Sequence, residues 1–283
     1  DKLNRYEDII NLSKNIINFP VKISSAEVDN YKKIALDKIK LHAKTPRTIF
    51  NLKGSLSHTK FIDSKILNKT LSYKLYLPPV SKINKKLPVI YINDGFNYIN
   101  KGEMPQLLDS LITNHDIEPL AAVFLNPVDK DTKENIRQEL FLCNSLFVDF
   151  FTNEFMPTLE DKYPISDKKE NRTILGLSFG GLAAAYLVDK APNYFQNLAM
   201  QSPALYPCPE IYKSYKSKAR KDFKMYLSYG TGKDTEKQDL PFIKVLQRKG
   251  YNLKVERIKD GNHEWYVWKE QLNNILLYYF DKK

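Results

Sequence analysis

The sequence is short of cysteine and has no long hydrophobic run. It contains 283 residues but only two cysteines, Cys143 and Cys208, which are too few for a disulfide framework or a cysteine-rich zinc site. We therefore expect two unpaired thiols, with a single bridge as the alternative in an oxidising compartment. No apolar run approaches the roughly 18 residues that a membrane-spanning helix needs, so a soluble protein without a membrane span is expected.

The sequence also has fewer acidic than basic residues. Its 44 lysines and arginines against 33 aspartates and glutamates give a net charge of +11. A field of that sign attracts anions, and nucleic acid is the usual partner to consider first. The basic residues are scattered and mostly lysine, which is typical of solvated faces and argues against a nucleic-acid partner. A small polyanionic substrate is the more specific alternative.

The chain divides into an extension, residues 1–50, and one domain, residues 51–283. Ser24 followed by Glu27 has the spacing of a capping box, so the extension is predicted to be helical. With 42% hydrophobic residues, the remainder can bury one large core. From about Ser55, β-rich stretches broken by polar turns predict antiparallel strands that open a sheet.

Apolar runs then alternate with stretches of helical periodicity. The runs predict strands buried on both faces, at Leu87–Gly95, Leu120–Pro127, Arg172–Ser178, Asn197–Pro203, Phe223–Gly230 and Leu253–Ile258. Helices are predicted over Met104–Thr113, Leu146–Lys162, Gly181–Asp189, Leu240–Lys249 and Trp265–Phe280. This alternation predicts an α/β fold with a doubly wound, mostly parallel sheet that follows the antiparallel first strands.

The motif Gly-x-Ser-x-Gly at residues 176–180 carries the chemistry. A predicted strand runs into it and an apolar helix runs out of it. Such a strand–turn–helix forces the central residue, Ser178, into a strained turn and lifts its hydroxyl above the sheet edge. An incidental serine in a glycine-rich turn is the alternative, but the flanking elements favour a nucleophile.

A serine nucleophile needs a base, and His263 is the one histidine downstream of Ser178. It follows the last predicted strand, where the base of such a fold belongs. The carboxylate that orients the imidazole is expected after the preceding strand, where Asp234 is best placed and Glu236 is next. Asp239 is expected to cap a helix that begins at Pro241. A serine–histidine pair without an acid stays open.

The negative oxygen that forms during acyl transfer needs two hydrogen-bond donors. One is expected from the backbone N–H of Phe179, the residue after the nucleophile. The second is expected from the loop that follows an early strand, which here contains Gly95 and Phe96. The alternative for that loop is a simple tight turn.

The succession of these segments resembles a known family. The stretches YKLYLPP, PVIYINDGFN, IRQELFLCN, NRTILGLSFGGLAAAYL and DGNHEW resemble the esterase D group of α/β-hydrolases. Within that group the chain is most similar to the enterobactin esterases, which act on a trilactone siderophore. Arg137 seven residues before Asn144, and His263 five residues before Trp268, are the narrower features of the resemblance. It covers the chain from about Ser55 onward.

The resemblance implies an α/β-hydrolase fold and a serine esterase that needs neither cofactor nor metal. The implied partner is an anionic catecholate siderophore, free or ferric, whose tri-serine lactone esters are hydrolysed through an acyl-enzyme. By position, Arg137 is the expected ligand of the siderophore anion, with Lys130 and Lys133 as loop neighbours; an ordinary surface arginine is the alternative. Trp268 is a further substrate-binding candidate, although a tryptophan at such a spacing is more often a core residue. Replacement of Arg137 by alanine is therefore expected to impair the ferric ligand more than a small neutral ester.

The resemblance also implies a compartment and leaves alternatives. The chain resembles the short periplasmic type, which a removed export signal before Asp1 would fit, with a cytoplasmic location as the alternative. A monomer is expected. An acetyl or feruloyl carbohydrate esterase is the nearest other function, and a siderophore-binding protein without turnover is the alternative of a different class.

Overall fold

The computed structural model describes residues 51–79, 85–217 and 222–282. Residues Leu52–Lys283 form one compact unit. The predicted helical extension over residues 1–50 lies outside the described residues, and the domain division made there stays a prediction. Among the described residues, none of the helices combines the length and apolar character that crossing a membrane requires.

The described residues form a nine-stranded sheet with the strand order β1-β3-β5-β4-β6-β7-β8-β9, and β2 pairs with β3. The strands are β1 (Ser55–Leu56), β2 (Lys60–Ser64), β3 (Lys69–Leu77), β4 (Val89–Ile92), β5 (Ala121–Asp129), β6 (Arg172–Leu177), β7 (Asn197–Gln201), β8 (Lys224–Gly230) and β9 (Asn252–Ile258). The pairings of β3 are antiparallel, and those from β5 through β9 are parallel. The predicted α/β architecture with antiparallel first strands is confirmed.

Helices connect the parallel strands. They are α1 (Gly95–Asn100), α2 (Met104–Thr113), α3 (Arg137–Phe141), α4 (Ser145–Phe150), α5 (Met156–Lys162), α6 (Phe179–Lys190), α7 (Glu210–Ser217), α8 (Glu236–Arg248) and α9 (Trp265–Phe280). A π-helical turn, Phe151–Phe155, joins α4 to α5. The helix predicted over Leu146–Lys162 is thus interrupted, and Pro157, which has no N–H to donate, lies at the start of α5.

Two sequence predictions of local structure need correction. Helix α8 begins at Glu236, not at Pro241, because the N–H of Asp239 already donates to the carbonyl of Thr235 at 2.9 Å. Pro241 lies inside this helix. Strand β9 is not buried on both faces: it is an edge strand of the sheet, and each of its residues is exposed or partly buried.

The central strands carry the core. Every residue of β4 and β6 is buried, and aromatic side chains from the segment that joins α4 to α5 pack against them. The rings of Phe151, Phe155 and Phe195 surround that of Tyr91, with centroids 5.4, 6.3 and 5.9 Å away. This edge-to-face packing fixes the centre of the sheet, from which the chemically important loops emerge.

The two cysteines are joined, and the expectation of unpaired thiols was wrong. A disulfide links Cys143 and Cys208, whose Cα atoms lie 6.2 Å apart. The partners are 65 residues apart in sequence, so their proximity depends on how the loop after α3 packs against the loop before α7. A count of cysteines carries no information about that packing.

Candidate active site

Three side chains meet at the carboxyl edge of the sheet because of the strand order. Ser178 directly follows β6, Asp234 follows β8, and His263 follows β9. Since β6, β7, β8 and β9 are adjacent and parallel, the loops after them emerge on the same side. Open parallel sheets usually bind their ligands outside this edge.

The backbone at Ser178 is strained. Its φ of 54° and ψ of −122° lie outside the regions that side-chain-bearing residues favour. The turn closes tightly, because a Cβ on Gly176 would lie 2.1 Å from the carbonyl oxygen of Gly180. A Cβ on Gly180 would lie 2.8 Å from a carboxylate oxygen of Asp94. Gly176 is therefore required by close approach of the backbone, as a nucleophile elbow demands, and Gly180 leaves room for the Asp94 carboxylate.

Ser178, His263 and Asp234 form a hydrogen-bonded chain. The His263 Nε2 lies 3.0 Å from the Ser178 Oγ, and its Nδ1 lies 2.7 Å from the Asp234 Oδ1. An Nδ1–H that donates to the carboxylate leaves Nε2 as the acceptor of the serine proton. This geometry permits His263 to act as a general base toward Ser178.

Asp234 accepts hydrogen bonds from two groups besides His263. Its Oδ2 accepts hydrogen bonds from the Ser202 hydroxyl at 2.7 Å and from the Gly230 N–H at 2.5 Å. Burial tends to raise the pKa of the Asp234 carboxyl, but the hydrogen bonds from His263, Ser202 and Gly230 outweigh it and hold the pKa below its usual range. The carboxylate therefore stays ionised at neutral pH, as an imidazole-orienting group must.

The other candidate acids are engaged elsewhere. Glu236 accepts from Arg257 at 3.2 Å on the surface. Asp239 is fully buried and accepts from the Thr235 hydroxyl at 2.6 Å. Burial raises the pKa of Asp239 to about 8, with a further contribution from the negative charge of Asp234. Of the carboxylates considered from the sequence, Asp234 is the one that the structure brings to His263.

The loops that carry the acid and the base are bonded to each other. The His263 N–H donates to the Lys233 carbonyl at 3.1 Å, and the Lys233 N–H donates to the Asn262 side chain at 2.8 Å. Gly232 donates to the Gly261 carbonyl at 2.9 Å. These bonds fix the distance between Asp234 and His263 through the backbone.

Trp268 packs against the His263 imidazole, and the expectation that it contacts the substrate needs correction. Its side chain is only 5% exposed, and its indole Nε1 donates to the Ser202 Oγ at 2.9 Å. The ring meets the His263 imidazole edge to face, with centroids 4.8 Å apart. A side chain buried in this way supports the base and the acid and has little surface for a ligand.

Ser202 is a functional residue that the sequence reading missed. It accepts from Trp268 and donates to Asp234, and its φ of 43° is strained. A signal was present, since Ser202 is the first residue after β7 and thus lies at the same sheet edge as the nucleophile.

Both predicted sources of oxyanion donors are helix N-termini. Phe179 is the first residue of α6, and Gly95 and Phe96 are the first two of α1. The N–H groups of a first helical turn have no acceptor within their helix, so they are suited to bind an anion. Their role as the oxyanion hole stays a prediction.

Arg137 lies beside this site but is paired with the protein. Its Nε and Nη2 donate to the two carboxylate oxygens of Asp94 at 2.7 and 2.8 Å. The guanidinium carbon also lies 5.3 Å from the centre of the Phe179 ring. The pairing with Asp94 was not predicted from the sequence, and a part for Arg137 in substrate binding stays a prediction.

Lys130 and Lys133 contact groups outside the catalytic residues. The Lys130 Nζ lies 4.9 Å from the centre of the Phe61 ring on β2, and the Lys133 Nζ donates to the Lys130 carbonyl. In the part of the chain that the structure describes, no hydrogen bond or ion pair joins either lysine to Ser178, His263 or Asp234. Their part in substrate binding stays a prediction.

Two further features lie apart from the catalytic chain. A surface cavity of about 660 Å³, lined in part by Lys224, Lys254 and Tyr278, opens at the amino ends of β8 and β9, opposite the catalytic edge. Over residues 51–79, 85–217 and 222–282, the one group of three possible metal ligands is Cys143, Cys208 and Glu210, whose two sulfurs are joined in the disulfide.

The chain order nucleophile, acid, base, after the parallel strands β6, β8 and β9, defines the class: the chain has the α/β-hydrolase fold. Comparison with family models agrees and gives the family. The chain belongs to the Esterase family, described as "Putative esterase", whose model matches residues 64–279. Membership in this family makes it a carboxylic-ester hydrolase.

Proteins with sequences similar to this chain include one that the match covers almost completely. The uncharacterized protein YjcH of Bacillus subtilis is 27% identical over 230 residues, which cover 76% of this chain and 93% of that protein. The iron(III) salmochelin esterase of Escherichia coli O6:H1 is 24% identical over 147 residues, which cover 51% of this chain and 35% of that protein.

Solved structures share the fold at low identity. A ferulic acid esterase matches with a TM-score of 0.70 and 20% identity, over 80% of this chain and 98% of that one. The enterobactin esterase FES from Shigella flexneri, solved in the presence of enterobactin, matches with a TM-score of 0.71 and 19% identity. That match covers 78% of this chain and 58% of the enterobactin esterase.

Proposed function

We propose that the protein is a serine esterase that hydrolyses the tri-serine lactone of enterobactin-type catecholate siderophores, free or ferric. The observation that carries the esterase part is the chain from Ser178 through His263 to Asp234, with distances of 3.0 and 2.7 Å. The siderophore part is supported by the solved enterobactin esterase of the same fold and by the salmochelin esterase relative.

In the first half of the reaction the Ser178 Oγ attacks an ester carbonyl carbon while the His263 Nε2 takes the serine proton. The carbonyl oxygen becomes negative and is stabilised by N–H groups of Phe179 and Phe96, each donor of this kind contributing about 3 kcal/mol. The ester C–O bond then breaks, and His263 returns the proton to the leaving alkoxide. The product is an acyl-Ser178 ester and a free alcohol.

In the second half, water attacks the acyl carbon while His263 takes one of its protons. The bond to the Ser178 Oγ breaks, the serine regains its proton from His263, and a carboxylic acid is released. Opening the lactone removes the preorganisation of a ring that holds three catecholates around iron. Hydrolysis would therefore weaken iron binding by the product.

The charge of the protein favours an anionic substrate. A net charge of +11 raises the local concentration of a polyanion such as a ferric tris-catecholate, in a salt-dependent way. A neutral ester gains nothing from this field. Salt sensitivity of kcat/KM for the anionic substrate alone would support this contribution.

A feruloyl esterase is the second candidate, and two observations favour it. The chain matches 98% of a ferulic acid esterase but only 58% of the enterobactin esterase. The exposed ring of Tyr206 lies 6.1 Å from that of Phe179, beside the nucleophile, and provides an aromatic surface on which a hydroxycinnamoyl group would pack.

A substrate panel separates the two candidates. The protein and a Ser178→Ala control are incubated with iron-free enterobactin, ferric enterobactin and methyl ferulate, and the products are separated by chromatography. We expect ring-opened linear products from enterobactin that depend on Ser178, with kcat/KM at least about tenfold above that for methyl ferulate. Turnover of methyl ferulate with intact enterobactin would contradict the siderophore proposal and leave the esterase.

We also propose that the protein works in an oxidising compartment such as the periplasm. The Cys143–Cys208 disulfide supports this, because such bonds rarely persist in a reducing cytoplasm. Thiol titration of the unfolded protein, isolated from its own cells under alkylating conditions, is expected to find no free thiol. Two free thiols per chain would contradict the location.

A further inference from the structure

A buried glutamine that the mechanism does not use lies next to the nucleophile elbow. Gln201 is the last residue of β7, and none of its surface is exposed. Its backbone carbonyl accepts a hydrogen bond from the Ser178 N–H at 2.9 Å. A side-chain amide removed from water in this way needs partners for both its oxygen and its nitrogen. Gln201 finds them on helices α1 and α9, which both begin at the catalytic edge of the sheet.

The amide oxygen of Gln201 accepts from helix α1. The hydroxyl of Tyr98 donates to it at 2.9 Å, and the Tyr98 side chain is fully buried. Burial raises the pKa of Tyr98 well above its usual value, so the hydroxyl keeps its proton and stays a donor at neutral pH. Tyr98 lies two residues after Phe96, whose N–H is a predicted oxyanion donor. This bond therefore joins the helix of the predicted donors to the strand beside the nucleophile.

The amide nitrogen of Gln201 donates to helix α9. It bonds the Trp268 carbonyl at 2.8 Å and the side-chain oxygen of Gln271 at 2.9 Å. The same oxygen of Gln271 also accepts from the Ser228 hydroxyl on β8. These polar side chains are buried, so their bonds are shielded from competition with water.

Trp268 connects this network to the base. Its ring meets the His263 imidazole edge to face, and its indole nitrogen bonds Ser202, which holds the catalytic acid. A row of rings reaches the same place from α1. The Tyr98 ring lies 5.2 Å from that of Trp265, which lies 5.6 Å from that of Trp268, and both contacts are edge to face.

Gln201 is thus bonded to the three parts whose relative position the reaction needs. Its backbone holds the nucleophile elbow, its side-chain oxygen holds the helix of the predicted donors, and its side-chain nitrogen holds the helix that supports the base. A hydrocarbon side chain of similar length can fill the space but can make neither side-chain bond. It would leave the Tyr98 hydroxyl and the Trp268 carbonyl buried without these partners.

We infer that Gln201 is a positioning residue that holds helix α1 and the His263 imidazole in fixed places relative to Ser178. It is buried, and it acts through Tyr98 and Trp268 without contact with the substrate. This inference rests on the serine esterase mechanism proposed above but not on the siderophore as its substrate. Because the Tyr98 hydroxyl acts through Gln201, its loss should lower activity only while Gln201 is present.

The test uses Tyr98→Phe, Gln201→Met and the double variant on a neutral ester, 4-nitrophenyl acetate. We expect kcat to fall about tenfold in Tyr98→Phe and about 10²-fold in Gln201→Met, because displaced catalytic groups stabilise the transition state less. KM should change by less than about threefold. The double variant should lose little beyond Gln201→Met, since the hydroxyl that it removes has already lost its partner. A trifluoromethyl ketone, which forms a tetrahedral adduct with a serine, should bind more weakly by similar factors.

Tyr279→Phe is the matched control. It also removes a tyrosine hydroxyl that donates to a buried acceptor, the Leu198 carbonyl at 2.6 Å, but near the amino end of β7. We expect it to lower the thermal midpoint about as much as Tyr98→Phe and to leave kcat within about twofold. If Gln201→Met does not fold, the comparison of Tyr98→Phe with this control still decides.

Two results would overturn the inference alone: a Tyr98→Phe enzyme whose kcat equals that of the control, or losses that multiply in the double variant. A wild-type protein that hydrolyses no ester would overturn the proposed mechanism and the inference together. Wild-type turnover therefore separates the two failures.

Discussion

Replacement of Ser178 by alanine is expected to lower kcat for ester hydrolysis by about 10⁶-fold, the size of loss typical when a nucleophilic serine is removed. The reason is that the Ser178 Oγ lies 3.0 Å from the His263 Nε2 and is held there by a strained elbow. Steady-state assays with 4-nitrophenyl acetate and highly purified variants measure this loss. KM is not expected to account for it.

Removal of the base is expected to lower kcat as much as removal of the nucleophile. His263→Ala is expected to cost about as much as Ser178→Ala, and the double variant little more than either, since nucleophile and base act as one unit. Ser217→Ala and His58→Ala remove exposed residues of the same types and serve as matched controls with unchanged kcat. Multiplicative losses in the double variant, or a Ser178→Ala enzyme within tenfold of the wild type, would contradict the assignment.

Replacement of Asp234 by asparagine is expected to lower kcat by about 10⁴-fold, because the amide can donate to Nδ1 and so favour the wrong imidazole tautomer. The bonds from Ser202 and Gly230 hold the side chain at that position, so the geometry should persist. Kinetics of the variant on the same neutral ester give the result. A fall of less than about tenfold would instead indicate a serine–histidine pair that works without an acid.

Glu236→Gln is the control that separates the candidate acids. Glu236 is paired with Arg257 on the surface, so its replacement is expected to leave kcat within about twofold.

The lowered pKa of Asp234 allows a second test of its assignment, through the pH dependence of stability. Its contribution to the free energy of unfolding is present at neutral pH and is lost as the pH falls below the ordinary aspartate pKa and through the lower folded-state pKa. The stability difference between wild type and Asp234→Asn should therefore shrink in acid.

The fold could be predicted because its signals are local. Uninterrupted apolar runs such as those of β4 and β6 need cover on both faces, and only a parallel sheet with helices on each side provides it. The nucleophile could be predicted for the same reason, since strand, tight turn and helix are contiguous around Ser178. His263 could be predicted from its order after Ser178 and its place after the last predicted strand.

The features that escaped prediction are pairings across long sequence distances. Arg137 and Asp94 are 43 residues apart, and the disulfide spans 65. Each depends on which loops become neighbours at the sheet edge, and neither has a compositional signature. Trp268 is a related case. Its separation of five residues from His263 does not show whether its indole ring lies on the buried side of the imidazole or on the substrate side.

Labelling with a fluorophosphonate tests the central claim most directly, because such a reagent reacts with an activated serine whatever the natural ester. The intact mass is expected to increase by one adduct per chain, with the modification on the peptide that contains Ser178. Labelling should be absent in Ser178→Ala and much slower in His263→Ala. A protein that resists the reagent while it still hydrolyses esters, or an adduct on a different residue, would contradict the account.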